Sequence, residues 1–132
     1  MPFAVERGSD PWVIDLGPAF AELGERLLAA RDSKAELAYR FHRTGAEAVV
    51  SVAAELAERE RIADCCLSGG VFQNQILLEL VEDGLRERGL RAHRNLQLPP
   101  NDGGISFGQI VLASWRAFQG SAEPQGLARR VA

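Results

Sequence analysis

Long apolar runs, a block of one-sign charge and a spaced set of metal-binding side chains are all missing from these 132 residues. No segment approaches the roughly 20 apolar residues of a membrane-spanning helix, so no membrane is expected as a partner. The first ten residues carry Glu6, Arg7 and Asp10 and lack the apolar centre of a secretory signal, which predicts a cytoplasmic location. Lys and Arg (15) are interspersed with Asp and Glu (18) for a net charge of -3, so no basic patch exists to meet a phosphate backbone and nucleic acid is not expected. The two cysteines, Cys65 and Cys66, are adjacent; in a strand they point to opposite faces and neither pair nor share a metal. Two reduced, mostly buried thiols are expected, as suits a reducing compartment. The two histidines, His42 and His93, are far apart and lack metal-ligand spacing. A phosphate-binding loop with its Lys-Ser/Thr, a dinucleotide fingerprint and a Gly-x-Ser-x-Gly elbow are likewise absent, and with them serine-nucleophile catalysis.

What is present is the composition of one globular domain, 46% hydrophobic and 25% charged, with no repeat, low-complexity tract or linker to divide it. A short extended piece is expected near Trp12-Val13-Ile14, then a helix from Pro18 to about Arg31, capped by Asp15 or Gly17. Ser33 and Glu36 match a capping box, in which each side chain satisfies a free N–H at the helix end, and the helix they open should reach about Arg59. Its packed face is read as Leu37, Phe41, Val49, Val52 and Leu56, with Glu47, Glu55 and Glu58 off it. Residues 62 to 67 form a short apolar run that predicts a buried strand. A helix with Ile76, Leu77, Leu80 and Val81 as its buried stripe follows, then Gly89 as C-cap and a second strand at about Leu90 to Arg94. That order is a βαβ unit with parallel strands. A last helix, about Ile105 to Phe118, should pack Leu112 and Trp115, and residues 120–132 should fray.

Two glycine-bearing turns follow the two strands: Leu67-Ser68-Gly69-Gly70-Val71-Phe72-Gln73-Asn74, and Pro99-Pro100-Asn101-Asp102-Gly103-Gly104. Strands of one parallel sheet place both turns at its carboxyl edge, where α/β proteins bind ligands. Gly69 and Gly70 let a ligand lie against the backbone, and Asn74 offers both donor and acceptor. A tight strand-to-helix connection explains the same residues without a ligand. Asp102 reads either as a helix N-cap or as a metal ligand. His42 reads as a core-edge histidine making one hydrogen bond, and both tryptophans as packing residues.

Three words then carry a resemblance: Phe41-His42-Arg43-Thr44 with Ala46-Glu47; Leu67 to Asn74; and Leu98 to Ile105 with Gly108-Gln109. Over most of residues 10 to 115 they resemble the carboxyl-terminal part of the hydrogenase maturation carbamoyltransferases of the HypF family. The resemblance implies an α/β fold, the C-terminal lobe of an actin/Hsp70/sugar-kinase (ASKHA, Kae1-like) domain: a small sheet with a parallel βαβ unit packed by helices, over residues 1–119. It assigns Gly69, Gly70, Val71 and Asn74 to the nucleotide and Asp102 to a metal.

Enzymes of this type use carbamoyl phosphate and ATP, through a carbamoyl adenylate, to carbamoylate the C-terminal cysteine of the partner HypE. The cofactors so implied are ATP, Mg²⁺ and a divalent transition metal, zinc or iron. The family also has acylphosphatase, zinc-finger and YrdC-like domains and a first Kae1-like lobe with two metal-binding histidines, none of which fits inside this chain. One wall of a site, inactive alone, is therefore the expectation. An antibiotic O-carbamoyltransferase lobe, or a non-catalytic lobe that binds a protein or pairs with a second copy, are the alternatives.

Overall fold

The computed structural model describes residues 1–8, 10–30 and 32–119. A short antiparallel hairpin, β1 (Ala4–Glu6) and β2 (Val13–Asp15), leads into α1 (Gly17–Ala29). Pro18 occupies the first turn of α1; the N-cap is Leu16, without a side-chain cap bond, rather than Asp15 or Gly17, and Asp15 accepts the N–H of Gly17, the first helical residue, at 2.7 Å. The second helix, α2 (Lys34–Glu60), begins at the expected capping box: Glu36 N–H donates to Ser33 Oγ at 3.2 Å, and Ser33 N–H to Glu36 Oε2 at 2.9 Å. The backbone bond from Ser33 is the main reason the Glu36 carboxyl titrates below its ordinary value. Strand β3 (Asp64–Leu67), α3 (Gln75–Glu87), β4 (Arg91–Arg94) and α4 (Ile105–Gln119) complete the described chain.

β3 and β4 pair in parallel, with Asp64 opposite Arg91 and Leu67 opposite Arg94, so the βαβ unit is realised. Gly89 ends α3 at φ +75°, a conformation an L side chain disfavours, and Leu90 N–H returns to the Leu85 carbonyl. Ala46 and Val50 of α2, Leu78, Val81 and Leu85 of α3, and Leu67 of β3 form the core. The two helices approach closely because Gly84 has no side chain: a Cβ there would lie 3.0 Å and 3.3 Å from the two methyl groups of Val50. Around this centre Glu47 binds Arg88, Glu55 binds Arg7, and the Phe20 ring meets Phe41 at 5.1 Å to tie α1 to α2. The guanidinium groups of Arg7 and Arg59 each lie 5.9 Å from the centre of the Trp12 ring.

Four expectations change. The buried face of α2 is Leu37, Thr44, Ala46, Ala48 and Val50, whereas Val49 and Leu56 are exposed, because alanines rather than the larger residues set where neighbours approach. On α3 the fully buried residues are Leu78, Val81 and Leu85, the expected Leu77 and Leu80 pack half-buried against the core, and Ile76 departs from the expected stripe at 48% exposed. Cys66 is exposed and Cys65 half-buried, since the sheet has two strands and helices cover only one of its faces. On the other face Asp64 accepts hydrogen bonds from Arg91 and His93, which together hold its carboxyl well below the usual carboxylate range. Leu112 and Trp115 do not pack; every α4 side chain from Ile105 to Phe118 is exposed, and its main contact is the turn before it. The tail expected to fray lies outside the described residues. No helix among the described residues is long and apolar enough to cross a membrane.

The contact at Gly84 generates a first prediction. Gly84→Val drives a branched side chain into Val50 and should lower stability by about 1–3 kcal/mol; urea unfolding of the variant measures it, and an unchanged midpoint would show that the helices are not in close contact.

Candidate functional site

The first turn leaves β3 at buried Leu67 and reaches Gly69 at φ +103°, where glycine is favoured. Nothing lies within 4 Å of the position a Gly69 Cβ would take, so the backbone faces open space. Gly69 N–H donates to the Pro100 carbonyl at 2.7 Å, and a Cβ on Gly70 would stand 3.7 Å from Asn101 Cβ. The two turns are thus clasped together at the carboxyl edge of β3 and β4. Asn101 folds the second turn: its Oδ1 accepts the Gly103 N–H at 3.0 Å and its carbonyl accepts the Gly104 N–H at 3.0 Å. A Cβ on Gly104 would come within 3.1 Å of the Pro99 carbonyl, so this position tolerates no side chain without movement.

A 3-10 turn precedes each long helix, Gly70–Gln73 before α3 and Asp102–Gly104 before α4, and takes in Gly70, Gly103 and Gly104 themselves. Gly69 and Gly70 therefore stand ahead of α3, whereas Gly104 directly precedes Ile105 at the start of α4; the Gly69 N–H is spent on Pro100 rather than free for an anion. Asn74 is the residue that opens α3, with its Oδ1 accepting the Leu77 N–H at 3.1 Å. Its Nδ2 lies 2.7 Å from His42 Nε2, and His42 Nδ1 lies 2.7 Å from the Ala38 carbonyl. His42 thus makes two hydrogen bonds, and one of them reaches the site.

Asp102 is not the cap; Asn101, one residue earlier, has that role. The Asp102 carboxylate is exposed and makes no hydrogen bond or ion pair among the described residues. No group of three His, Cys, Asp or Glu side chains among the described residues could enclose a metal. A divalent cation prefers four or more ligands, so the described residues do not enclose one, and Asp102 could supply at most one carboxylate to a shell completed from elsewhere. The structure brings Gly69 and Gly70 against Pro100 and Asn101, the two residues before Asp102, while Val71 is exposed and Asn74 opens the helix after the first turn. A separate cleft of about 560 Å³ between α2, α3 and the first residues, edged by Arg40, Arg43, Glu47, Asp83, Glu87 and Arg88, includes none of them. Sequence patterning gave no sign of it, because its charges alternate in sign.

The cap makes Asn74 structural as well as exposed, so a side chain read first for ligand contact also carries stability. Asn74→Ala should cost about 1 kcal/mol, whereas Asn74→Asp should retain most of that, since aspartate caps about as well. Thermal unfolding of the two variants decides it, and an alanine variant as stable as the parent would refute the capping role.

With this geometry in view, the comparisons with known proteins are direct. The family model described as "Carbamoyltransferase, Kae1-like Domain, second subdomain" matches residues 1–109. The chain is 35% identical over 109 residues to carbamoyltransferase HypF2 of Cupriavidus necator, which covers 82% of this chain and 14% of that protein. It is 32% identical over 101 residues to carbamoyltransferase HypF of Rhodobacter capsulatus, over 76% of this chain and 13% of that protein. The chain therefore spans about one seventh of the length of these relatives. Among solved structures, full-length HypF in its phosphate- and nucleotide-bound form aligns with a TM-score of 0.78 at 30% identity, over 92% of this chain and 16% of that one. HypF of T. kodakarensis aligns with a TM-score of 0.65 at 26% identity, over 81% of this chain and 14% of that one. By fold and by sequence, the chain belongs to the HypF carbamoyltransferase family, whose Kae1-like second subdomain it matches.

Proposed function

We propose that this chain forms one wall of the nucleotide and metal cleft of a hydrogenase-maturation carbamoyltransferase. The observation that carries the reading is the clasp between Gly69 N–H and the Pro100 carbonyl, which brings an open glycine backbone and an unpaired carboxylate to the same sheet edge. A solved relative at 30% identity is a phosphate- and nucleotide-bound form, which supports a nucleotide as a ligand within this family.

In this reading the substrates are carbamoyl phosphate and ATP, with a carbamoyl adenylate between them, and the acceptor is the C-terminal cysteine of HypE in the cytoplasm. Gly69 and Gly70 admit the nucleotide against the backbone, Val71 borders it, and Asn74 offers the hydrogen-bonding capacity its cap leaves over. Asp102 contributes one carboxylate to the cation, either Mg²⁺ on the phosphates or a zinc or iron ion. The metal, when bound, supplies charge stabilisation. The chain's own part is positional and electrostatic, so no nucleophile is required of it.

Helix α4 says what else the cleft needs. Ile105, Phe107, Ile110, Leu112, Trp115 and Phe118 are each at least 46% exposed, an apolar surface that a complete protein covers. The first lobe of the same domain is the partner that fits, and in its absence a second copy takes the same face.

Two outcomes follow. Calorimetric titration with ATP and Mg²⁺ should show weak binding that Asp102→Ala reduces several-fold; equal binding by the variant would remove Asp102 from the metal. Sedimentation at rising concentration should show self-association that Ile110→Glu with Trp115→Glu abolishes, and a strict monomer at all concentrations would refute the exposed α4 face.

A further inference from the structure

Asn74 and His42 fix each other's hydrogen bonds completely. The Leu77 N–H can be accepted only by the Asn74 oxygen, which makes the amide nitrogen the atom 2.7 Å from His42 Nε2. That nitrogen has only hydrogens to give, so His42 Nε2 must be bare and accept. The ring proton then sits on Nδ1, where the Ala38 carbonyl, an acceptor only, receives it at 2.7 Å. A single chain of bonds runs from the backbone of α2, through the imidazole and the carboxamide, to the backbone of α3, joining residues 32 apart in sequence.

We infer that His42, neutral and protonated on Nδ1, is a positioning residue that locks the Asn74 carboxamide in one orientation at the glycine turn. The locked amide keeps one N–H uncommitted, a fixed donor for an acceptor atom of the bound nucleotide; this second half rests on the nucleotide reading above. A cap without His42 would still satisfy Leu77, but the amide could swing about its side-chain torsions and lose part of its pre-organisation for the ligand.

The second histidine supplies an internal control. His93 Nε2 lies 2.7 Å from the Asp64 carboxylate, an acceptor, and must therefore carry a proton there. Nitrogen-15 NMR of the imidazole rings near neutral pH should show His42 protonated on Nδ1 with a bare Nε2, and His93 protonated on Nε2. A His42 ring protonated on Nε2, or averaging between both forms, overturns the lock. For the ligand half, His42→Phe should weaken ATP·Mg²⁺ binding about five- to tenfold, roughly the net worth of one hydrogen bond. His42→Gln, whose amide oxygen reaches about as far as Nε2, should restore most of it with an unfolding midpoint close to that of the Phe variant. Binding by His42→Phe equal to the parent, or a loss that Gln fails to rescue, overturns the positioning role. A parent chain that binds no nucleotide refutes the nucleotide reading and the ligand half with it, while the ring-nitrogen signals still decide the lock.

Discussion

Val50 of α2, seated on the bare backbone of Gly84 in α3, is the contact on which the rest of the molecule depends. Two parallel strands of four residues each are not a stable sheet in water. They hold their register because Leu67, Cys65 and Ala92 lie on the paired helices, and the helices can pair closely only where a Cβ is missing. The ends of β3 and β4 are thereby set, and with them the two turns. The helix pair is the foundation of the site although it lies away from the open edge.

The first turn is anchored to the core by Phe72, and beyond that anchor the shape of both turns is held by directed bonds. Asn101 closes one turn, Asn74 opens the helix after the other, and Gly69 joins the two through Pro100. Such an arrangement spends backbone N–H groups on structure and leaves open space and an unpaired carboxylate for a ligand. A site of this kind works by fixing dipoles in advance rather than by supplying a reactive side chain.

The parts legible in the sequence were those with local causes. Ser33 and Glu36 announce their helix because a capping box is complete within four residues, and Gly89 marks a helix end because φ +75° is disfavoured for other residues. The strand-helix-strand order and both turns follow from the same kind of signal, and the family words pointed to the fold. What remained hidden depends on distance. Ala46 and Ala48 are buried while Val49 is not, which hydrophobicity alone ranks the wrong way, because the approach of a neighbouring helix selects small side chains. Asn101 and Asp102 are both good caps, and only the folded turn distinguishes them. The bond between His42 and Asn74 spans 32 residues and leaves no periodic trace.

Two bare surfaces remain, and their chemistry separates them. The outer face of β3 and β4 shows Asp64, Cys66, Arg91 and His93, where the carboxylate, the guanidinium and the imidazole already satisfy one another and water can solvate the rest. Such a face needs no partner. Helix α4 has no comparable compensation: from Ile105 to Phe118 its only charged side chain is Arg116, and its large apolar residues cover all but the side that carries Ser106, Gln109 and Arg116. A helix with so broad an apolar face packs that face against a neighbour. Since α4 begins at the turn that carries Asp102, whatever covers the helix also approaches the carboxylate from the open side. In the proposed reading, covering α4 and completing a cation's shell would be one structural event, in which the surface that buries the helix also brings the missing ligands to the edge.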